Sequence, residues 1–195
     1  MTVIKDDDAR KLIARIVDGD QSAFRALYDL TISDVSKTVG FLLDNPDGRD
    51  DVIQEVYVSL YRALRQYNPS KAFRPWLMGI VLRQISSYRR SHWRFQRIKQ
   101  KSVESSAPPI EHDFSEDVAD KVFNEKLLFA VLSLPPKLRS VLVLRFLHEY
   151  TREEIAEALS IPVGTVNSRL TRAIQELRAK NFSIKTEGGV AKYEF

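Results

Sequence analysis

Ile53, Val56, Tyr57, Leu60 and Leu64 stand at i, i+3, i+4, i+7 and i+11. That spacing gathers five apolar side chains on one side of an α-helix, facing a core. The same period governs most of the chain. Leu12, Ile13, Ile16 and Val17 form an earlier stripe that Gly19 ends, and Ala23, Phe24, Leu27 and Tyr28 open another, with Asp20 placed to cap it. Val35, Val39, Leu42 and Leu43 extend the pattern to the turn Asn45-Pro46-Asp47-Gly48. After the loop Tyr67-Asn68-Pro69-Ser70, an apolar-aromatic helix start runs from Phe73 to Leu82. No convincing run of strand-type alternation accompanies these stripes, so the expected fold class is all-α.

Charge then divides the chain. Arg83 to Lys101 holds seven Lys or Arg, with His92, and no acid; Ser102 to Asp120 holds six acids, no Lys or Arg, and Pro108-Pro109. Ser, Pro and like charges bury too little surface to fold, so the second stretch reads as a flexible acidic linker. Two small helical domains follow, over residues 10–101 and 122–180, joined by 102–121. The tail 181–195 contains Gly188-Gly189, shows no helical stripe and is left unassigned.

The second domain reads as a helix-turn-helix. Thr151 and Glu154 fit a capping box, and Ile155, Ala156 and Leu159 make a short inward stripe. A turn over Ser160-Ile161-Pro162-Val163-Gly164 leads to Val166, Leu170, Ala173, Ile174 and Leu177, the core face of a second helix. The opposite face bears Thr165, Ser168, Arg169 and Arg172, able to donate to phosphates or base edges, as a helix in a DNA major groove must. A helical hairpin with solvated arginines shares that pattern. Upstream, Leu134-Pro135-Pro136 places a proline at a helix start, and Val141 to Phe146 supply an apolar support.

Composition narrows the function further. Hydrophobic residues make up 44%, enough for a core; the net charge is +4 and there is no cysteine. A pI of about 9.3 hints at a polyanionic partner. The acidic N-terminus and the lack of an 18-residue apolar run predict a soluble, cytoplasmic protein without membrane insertion. His92, His112 and His148 form no ligand spacing, and no phosphate loop or activated nucleophile is visible. Asp50, Asp51 and Glu55 alone are a weak metal signal. The expectation is no enzyme, no metal and no cofactor.

Leu134-Pro135-Pro136, Val141 to Phe146, and Glu154 to Leu177 with Pro162-Val163-Gly164-Thr165-Val166 and Ser168-Arg169 closely resemble region four of the extracytoplasmic-function (group IV) sigma factors. The first domain matches independently. Gly19-Asp20-Gln21-Ser22-Ala23-Phe24 resembles that family's opening helix junction, and Asp50 to Glu55 its polymerase-binding motif. Phe73-Arg74-Pro75-Trp76-Leu77 is similar to the tryptophan signature after its melting loop. The resemblance covers residues 10–101 and 125–179.

It implies a transcription initiation factor that binds core RNA polymerase, directs it to promoter DNA and nucleates melting, commonly under an anti-sigma factor. Asp51, Gln54 and Glu55, opposite the Ile53–Leu60 stripe, would dock on the polymerase clamp, where acids and an amide suit basic side chains. Tyr67, Asn68, Ser70 and Lys71 would contact a base flipped from the −10 element, with Trp76 at the edge as a core anchor. The basic run, with Tyr88, Trp93 and Phe95 interleaved, would track the −10 DNA through Arg83, Ser87 and Arg90. Thr165, Asn167, Ser168, Arg169 and Arg172 would read the −35 element. The family often has Asn in place of Arg83, Asp in place of Ser87 and a basic residue in place of Asn167, so a relative's promoter preference does not transfer. The alternative is a stand-alone dimeric helix-turn-helix regulator, against which the Asp51–Glu55 motif argues.

Overall fold

Three acids in the first turn, Asp6, Asp7 and Asp8, favour a helix start at the positive end of its dipole, and α1 spans Asp6–Val17 with Ala9, Ile13 and Ile16 buried. The computed structural model describes residues 4–99, 127–180, 184–187 and 190–193, of which 95–99 and the last two segments are described by backbone alone. Gly19 takes φ +96°, and the Asp20 carboxylate then accepts from the backbone N–H groups of Ser22 and Ala23, the expected cap of α2 (Gln21–Leu42). Helix α2 buries Leu27, Thr31, Val35, Thr38, Val39 and Leu42.

Asn45 caps a 3-10 turn at Pro46–Gly48 that leads into α3 (Arg49–Ala63). Val52, Val56, Tyr57 and Leu60 are buried there, whereas Ile53, which the periodicity assigned to the core, is half-buried. The stripe is rotated because the helix beside it leaves a groove into which Ile53 opens. Helix α4 (Phe73–Lys99) completes a bundle with α1, α2 and α3.

In the second half, residues 127–132 are helical and Pro136 is the first residue of α5 (Pro136–Leu142), where its missing N–H costs nothing. The chain continues as a π turn over Val143–Leu147. Helix α6 (Arg152–Leu159) begins on the expected capping box: Thr151 N–H donates to Glu154 Oε2 at 2.7 Å, and Glu154 N–H to Thr151 Oγ1 at 3.1 Å. Ser160 then adopts a left-handed conformation, φ 52°, that turns the chain into α7 (Val163–Ala179). Ala130, Val131, Leu134, Leu138, Leu142, Ala173 and Leu177 form a core private to this half.

Both halves are helical, as expected. The unassigned tail adds a two-stranded antiparallel ladder, β1 (Ile184–Glu187) and β2 (Val190–Tyr193), pairing Ile184 with Tyr193 and Glu187 with Val190. Four-residue strands are too short for alternation to stand out, though Gly188-Gly189 between them is a hairpin signal. The expected linker, 102–121, lies outside the described residues, as does the boundary at residue 122.

The two halves pack together. A continuous buried core runs from Leu27, Val39 and Val81 in the first half to Val141, Leu144, Ile155 and Val166 in the second. Helix α6 lies on α4 so closely that a Cβ added at Gly79 would stand 3.3 Å from the Ala158 carbonyl oxygen. Around the seam, Lys71 pairs with Glu157 at 2.8 Å and Arg139 with Asp44 at 2.5 Å.

Candidate nucleic-acid interface and docking face

Asp51, Gln54 and Glu55 are all exposed on α3, as the stripe opposite them requires. Gln54 and Asp50 border an open groove between α2 and α3 lined by Phe24, Tyr28, Ile53, Tyr57 and Tyr61. Phe24 and Tyr61 meet edge to face at 5.2 Å, and Tyr28 and Tyr57 lie 4.5 Å apart. Tyr57 shares a hydrogen bond with Thr31 Oγ1 at 3.0 Å, and burial pushes its phenol well above the ordinary range. Tyr61 remains 57% exposed. Acids beside an apolar aromatic trough suit a partner helix that offers both basic and apolar side chains. Periodicity missed the trough, because an aromatic at core spacing reads as core.

The loop after α3 is ordered by its own side chains. Asn68 Oδ1 accepts from Ser70 N–H at 2.9 Å, and its carbonyl accepts from Lys71 N–H at 3.0 Å. Asp6, from α1, accepts from Phe73 N–H at 2.8 Å and so caps α4 from a distance. Asn68, Ser70 and Lys71 are exposed. Tyr67 is not: its ring is 7% exposed against Phe73 and Trp76, and its hydroxyl donates to the Lys71 carbonyl at 2.5 Å. A phenol whose polar end is satisfied inside its own loop serves to shape that loop, and burial raises its pKa. Trp76 is half-buried in the same aromatic cluster, in keeping with the anchor reading.

On α4, Arg83, Ser87 and Arg90 fall at i, i+4 and i+7 and are exposed, and Arg94 and Trp93 beyond them are exposed too. Tyr88 and Arg89 turn the other way. Tyr88 packs against Gly48, accepts from Asn45 Nδ2 at 3.2 Å and stacks on His92, while Arg89 donates to the Leu42 carbonyl and Asp44. Tyr88 therefore fastens α4 to the α2–α3 turn and does not offer its face as a stacking platform. The side chain of Phe95 is outside the described residues.

In the helix-turn-helix, Val166, Leu170, Ala173 and Leu177 are buried. Asn167, Ser168 and Arg172 are exposed on α7, and Thr165 and Arg169 are half-buried beside them. Ser168 donates to the Thr165 carbonyl, and Arg172 Nε holds Glu176 at 3.2 Å. That exposed i,i+4 pair is weak, about 0.3–0.5 kcal/mol, and yields readily to a phosphate. Arg145 donates to the Tyr150 carbonyl, a local closing role. Arg139 is only 3% exposed. It donates to the carbonyls of Leu134 and Phe41 and to Asp44, binding the C-terminal end of α2. Its partners in the other half are invisible to local patterning.

Among the described residues no group of three or more His, Cys, Asp or Glu could hold a metal ion. Among them, too, no helix is long and apolar enough to cross a membrane.

The family model for Sigma-70 region 2 matches residues 27–95, and that for Sigma-70, region 4 matches residues 124–177. Both describe parts of a transcription factor rather than an enzyme. The ECF RNA polymerase sigma-E factor of Escherichia coli (strain K12) is 31% identical over 176 residues, covering 87% of this chain and 92% of that one. The ECF RNA polymerase sigma factor SigW of Bacillus subtilis (strain 168) is 28% identical over 185 residues, covering 87% and 94%. Among solved structures, CnrH in complex with the cytosolic domain of CnrY has a TM-score of 0.65 at 23% identity, over 89% of this chain and 97% of that chain. The sigma factor RpoE in complex with the anti-sigma factor NepR from Bartonella quintana has the same TM-score, 0.65, at 19% identity, over 80% and 94%. These two share the fold; the first two carry the lineage. The chain belongs to the ECF family of RNA polymerase sigma factors.

Proposed function

We propose how this sigma factor, which gives RNA polymerase its promoter specificity in transcription initiation, divides that work among its surfaces. Residues 10–101 act as region 2, 122–180 as region 4, 102–121 as their connection, and 181–195 as an appendage. Asp51, Gln54 and Glu55, with the aromatic groove beside them, dock on core polymerase. Asn68, Ser70 and Lys71 receive an unstacked −10 base in a loop shaped by Tyr67 and Trp76, while Arg83, Ser87 and Arg90 follow the adjacent DNA. Thr165, Asn167, Ser168, Arg169 and Arg172 meet the −35 element. The observation that carries this reading is the pair of exposed faces, Arg83–Ser87–Arg90 on α4 and Asn167–Ser168–Arg172 on α7, within the two matched regions.

No nucleotide-hydrolysing motif is present in the sequence, so binding energy must drive strand opening. The factor performs no catalysis of its own and works in the cytoplasm beside its polymerase. An anti-sigma factor as regulator is in keeping with the fold shared with the complexed RpoE. Permanganate footprinting of unpaired thymines on a cognate promoter tests the reading. Reactivity near −10 is expected only when protein and core polymerase are combined. Tight palindromic footprints from the protein alone, unchanged by core, would point to a stand-alone regulator.

A further inference from the structure

Helix α4 outruns the bundle that supports it. Ile85 is its last buried residue, and every side chain from Ser86 to Arg94 is half-buried or exposed. Over that stretch and the turn before it, α4 carries Arg83, Arg89, Arg90 and Arg94 and no acid. Near its end stands Trp93, 69% exposed and the most exposed of the large hydrophobic residues among those described. An indole left in water beside arginines suits a partner that is anionic and also offers flat or apolar surface, as nucleic acid does. Distance then says which part of the DNA it meets. The loop proposed to take the unstacked −10 base ends where α4 begins, at Phe73. Trp93 stands 20 residues further on, about 30 Å along the helix at 1.5 Å per residue. A −10 element of about six pairs covers only about 20 Å of duplex. Even with α4 inclined by about 40° to the DNA axis, about 23 Å of reach remains. Trp93 therefore falls beyond the upstream edge of the element, over DNA that stays paired.

We propose that Trp93 grips the first paired steps upstream of the −10 element, laying its indole on deoxyribose and base edges there. The inference rests on the reading of α4 as the −10 face and extends that face past the element it reads. Trp93 is one turn beyond Arg90, at i+3 and on a neighbouring side of the helix, with Arg94 next in sequence. Both arginines are exposed, so their guanidinium groups can take phosphates on either side of the ring and hold it to the groove. The indole Nε1–H adds a donor for a phosphate or for thymine O4, and the thymine methyl is an apolar seat for the ring. Tyr88, the other described aromatic on this part of α4, is already committed to Gly48, Asn45 and His92. Trp93 carries no charge, so its share of the affinity releases no counterions and does not depend on salt as the arginines' share does.

Two templates, each titrated with the full-length protein assembled on core polymerase, isolate this contact. One is the single non-template strand of a cognate −10 element; the other is a fork that keeps paired DNA upstream of it. Trp93→Ala should bind the fork at least about fivefold more weakly and the single strand as well as wild type does, the loss of one aromatic contact to nucleic acid. Trp93→Phe should recover most of that affinity. The salt slope on the fork should stay unchanged for Trp93→Ala, whereas Arg94→Gln should lower it by about 0.9. Equal binding of the fork by Trp93→Ala and wild type, or an equal loss on both templates, would overturn the proposal. So would weaker co-purification of Trp93→Ala with core polymerase, which would set the ring against protein. A fall in the variant's thermal stability would instead make the residue structural and count equally against it. If wild-type holoenzyme bound neither template, the sigma reading itself would fail; wild-type binding beside an unaffected variant fails only the role of Trp93.

Discussion

His148 Nε2 lies 2.6 Å from Thr38 Oγ1, a contact between residues 110 positions apart that pins the second half of the molecule to α2. The Thr38 hydroxyl also lies 2.7 Å from the Asp34 carbonyl, which can only accept. The one hydroxyl proton goes to that carbonyl, so the imidazole must donate through Nε2–H, and its unprotonated Nδ1 is buried. Neutral histidine fits this site, and imidazolium does not. Burial lowers the pKa from 6.5 to about 4; Asp34 opposes the shift, and Arg74 and Lys37 add to it.

Once the halves separate, His148 titrates near 6.5, so the seam keeps its full stability above that pH. It weakens as pH falls from 6.5 towards 4, by about 1.4 kcal/mol per unit at most, and loses nothing more to this group below 4. Small-angle scattering of the free protein should show expansion as pH is lowered from 7 to 5. His148→Gln keeps a donor without the titration and should flatten that response. An equal expansion in both proteins would mean that His148 is not the group responsible.

Gly48 sits where no side chain fits. A Cβ there would lie 2.0 Å from the Tyr88 hydroxyl oxygen and 2.2 Å from its Cζ, so Gly48→Ala must displace the ring. The expected cost is about 1–3 kcal/mol, as for other overpacked cores, with loss of the Asn45–Tyr88 hydrogen bond. Thermal unfolding would report it, and Tyr88→Ala in the same chain should recover part of the loss.

Charge reversal of the proposed docking face should separate binding from folding. Asp51 and Glu55 are exposed and outside the core, so Asp51→Lys/Glu55→Lys should abolish co-purification with core polymerase at unchanged helical content. Tyr61→Ala, which removes one wall of the neighbouring groove, should weaken the same interaction by a smaller factor. Retention of core by the double variant would mean that this face is merely solvated.

At the −35 element, Arg172→Ala should cost about 1–3 kcal/mol if the guanidinium reaches a base edge. A phosphate contact would instead weaken binding uniformly across sequences and reduce the salt slope by about one. Titration of the polymerase complex on cognate and scrambled −35 duplexes at several salt concentrations separates the two. Glu176→Gln frees Arg172 from its ion pair and should tighten binding slightly.

Local rules made much of this molecule legible before its structure. Asp20 and the Thr151–Glu154 box cap the helices where their types and spacing said they would, because a cap is settled within four residues. The stripes Val56–Tyr57–Leu60 and Val166–Leu170–Ala173–Leu177 are buried for the same reason: a 3.6-residue period fixes a face whatever covers it. The exposed sides, Asp51–Gln54–Glu55 and Asn167–Ser168–Arg172, follow as their complements. What covers a face is not in the period. Packing alone rotated Ile53 out of the core stripe into an aromatic groove, and it drew Tyr67 inward to close its own loop. It also buried Arg139 and His148 against residues 98 and 110 positions away. Those contacts depend on where two separately amphipathic halves meet, and that is decided by tertiary complementarity: the small surface at Gly79 and Ala158, and the charge at Asp44.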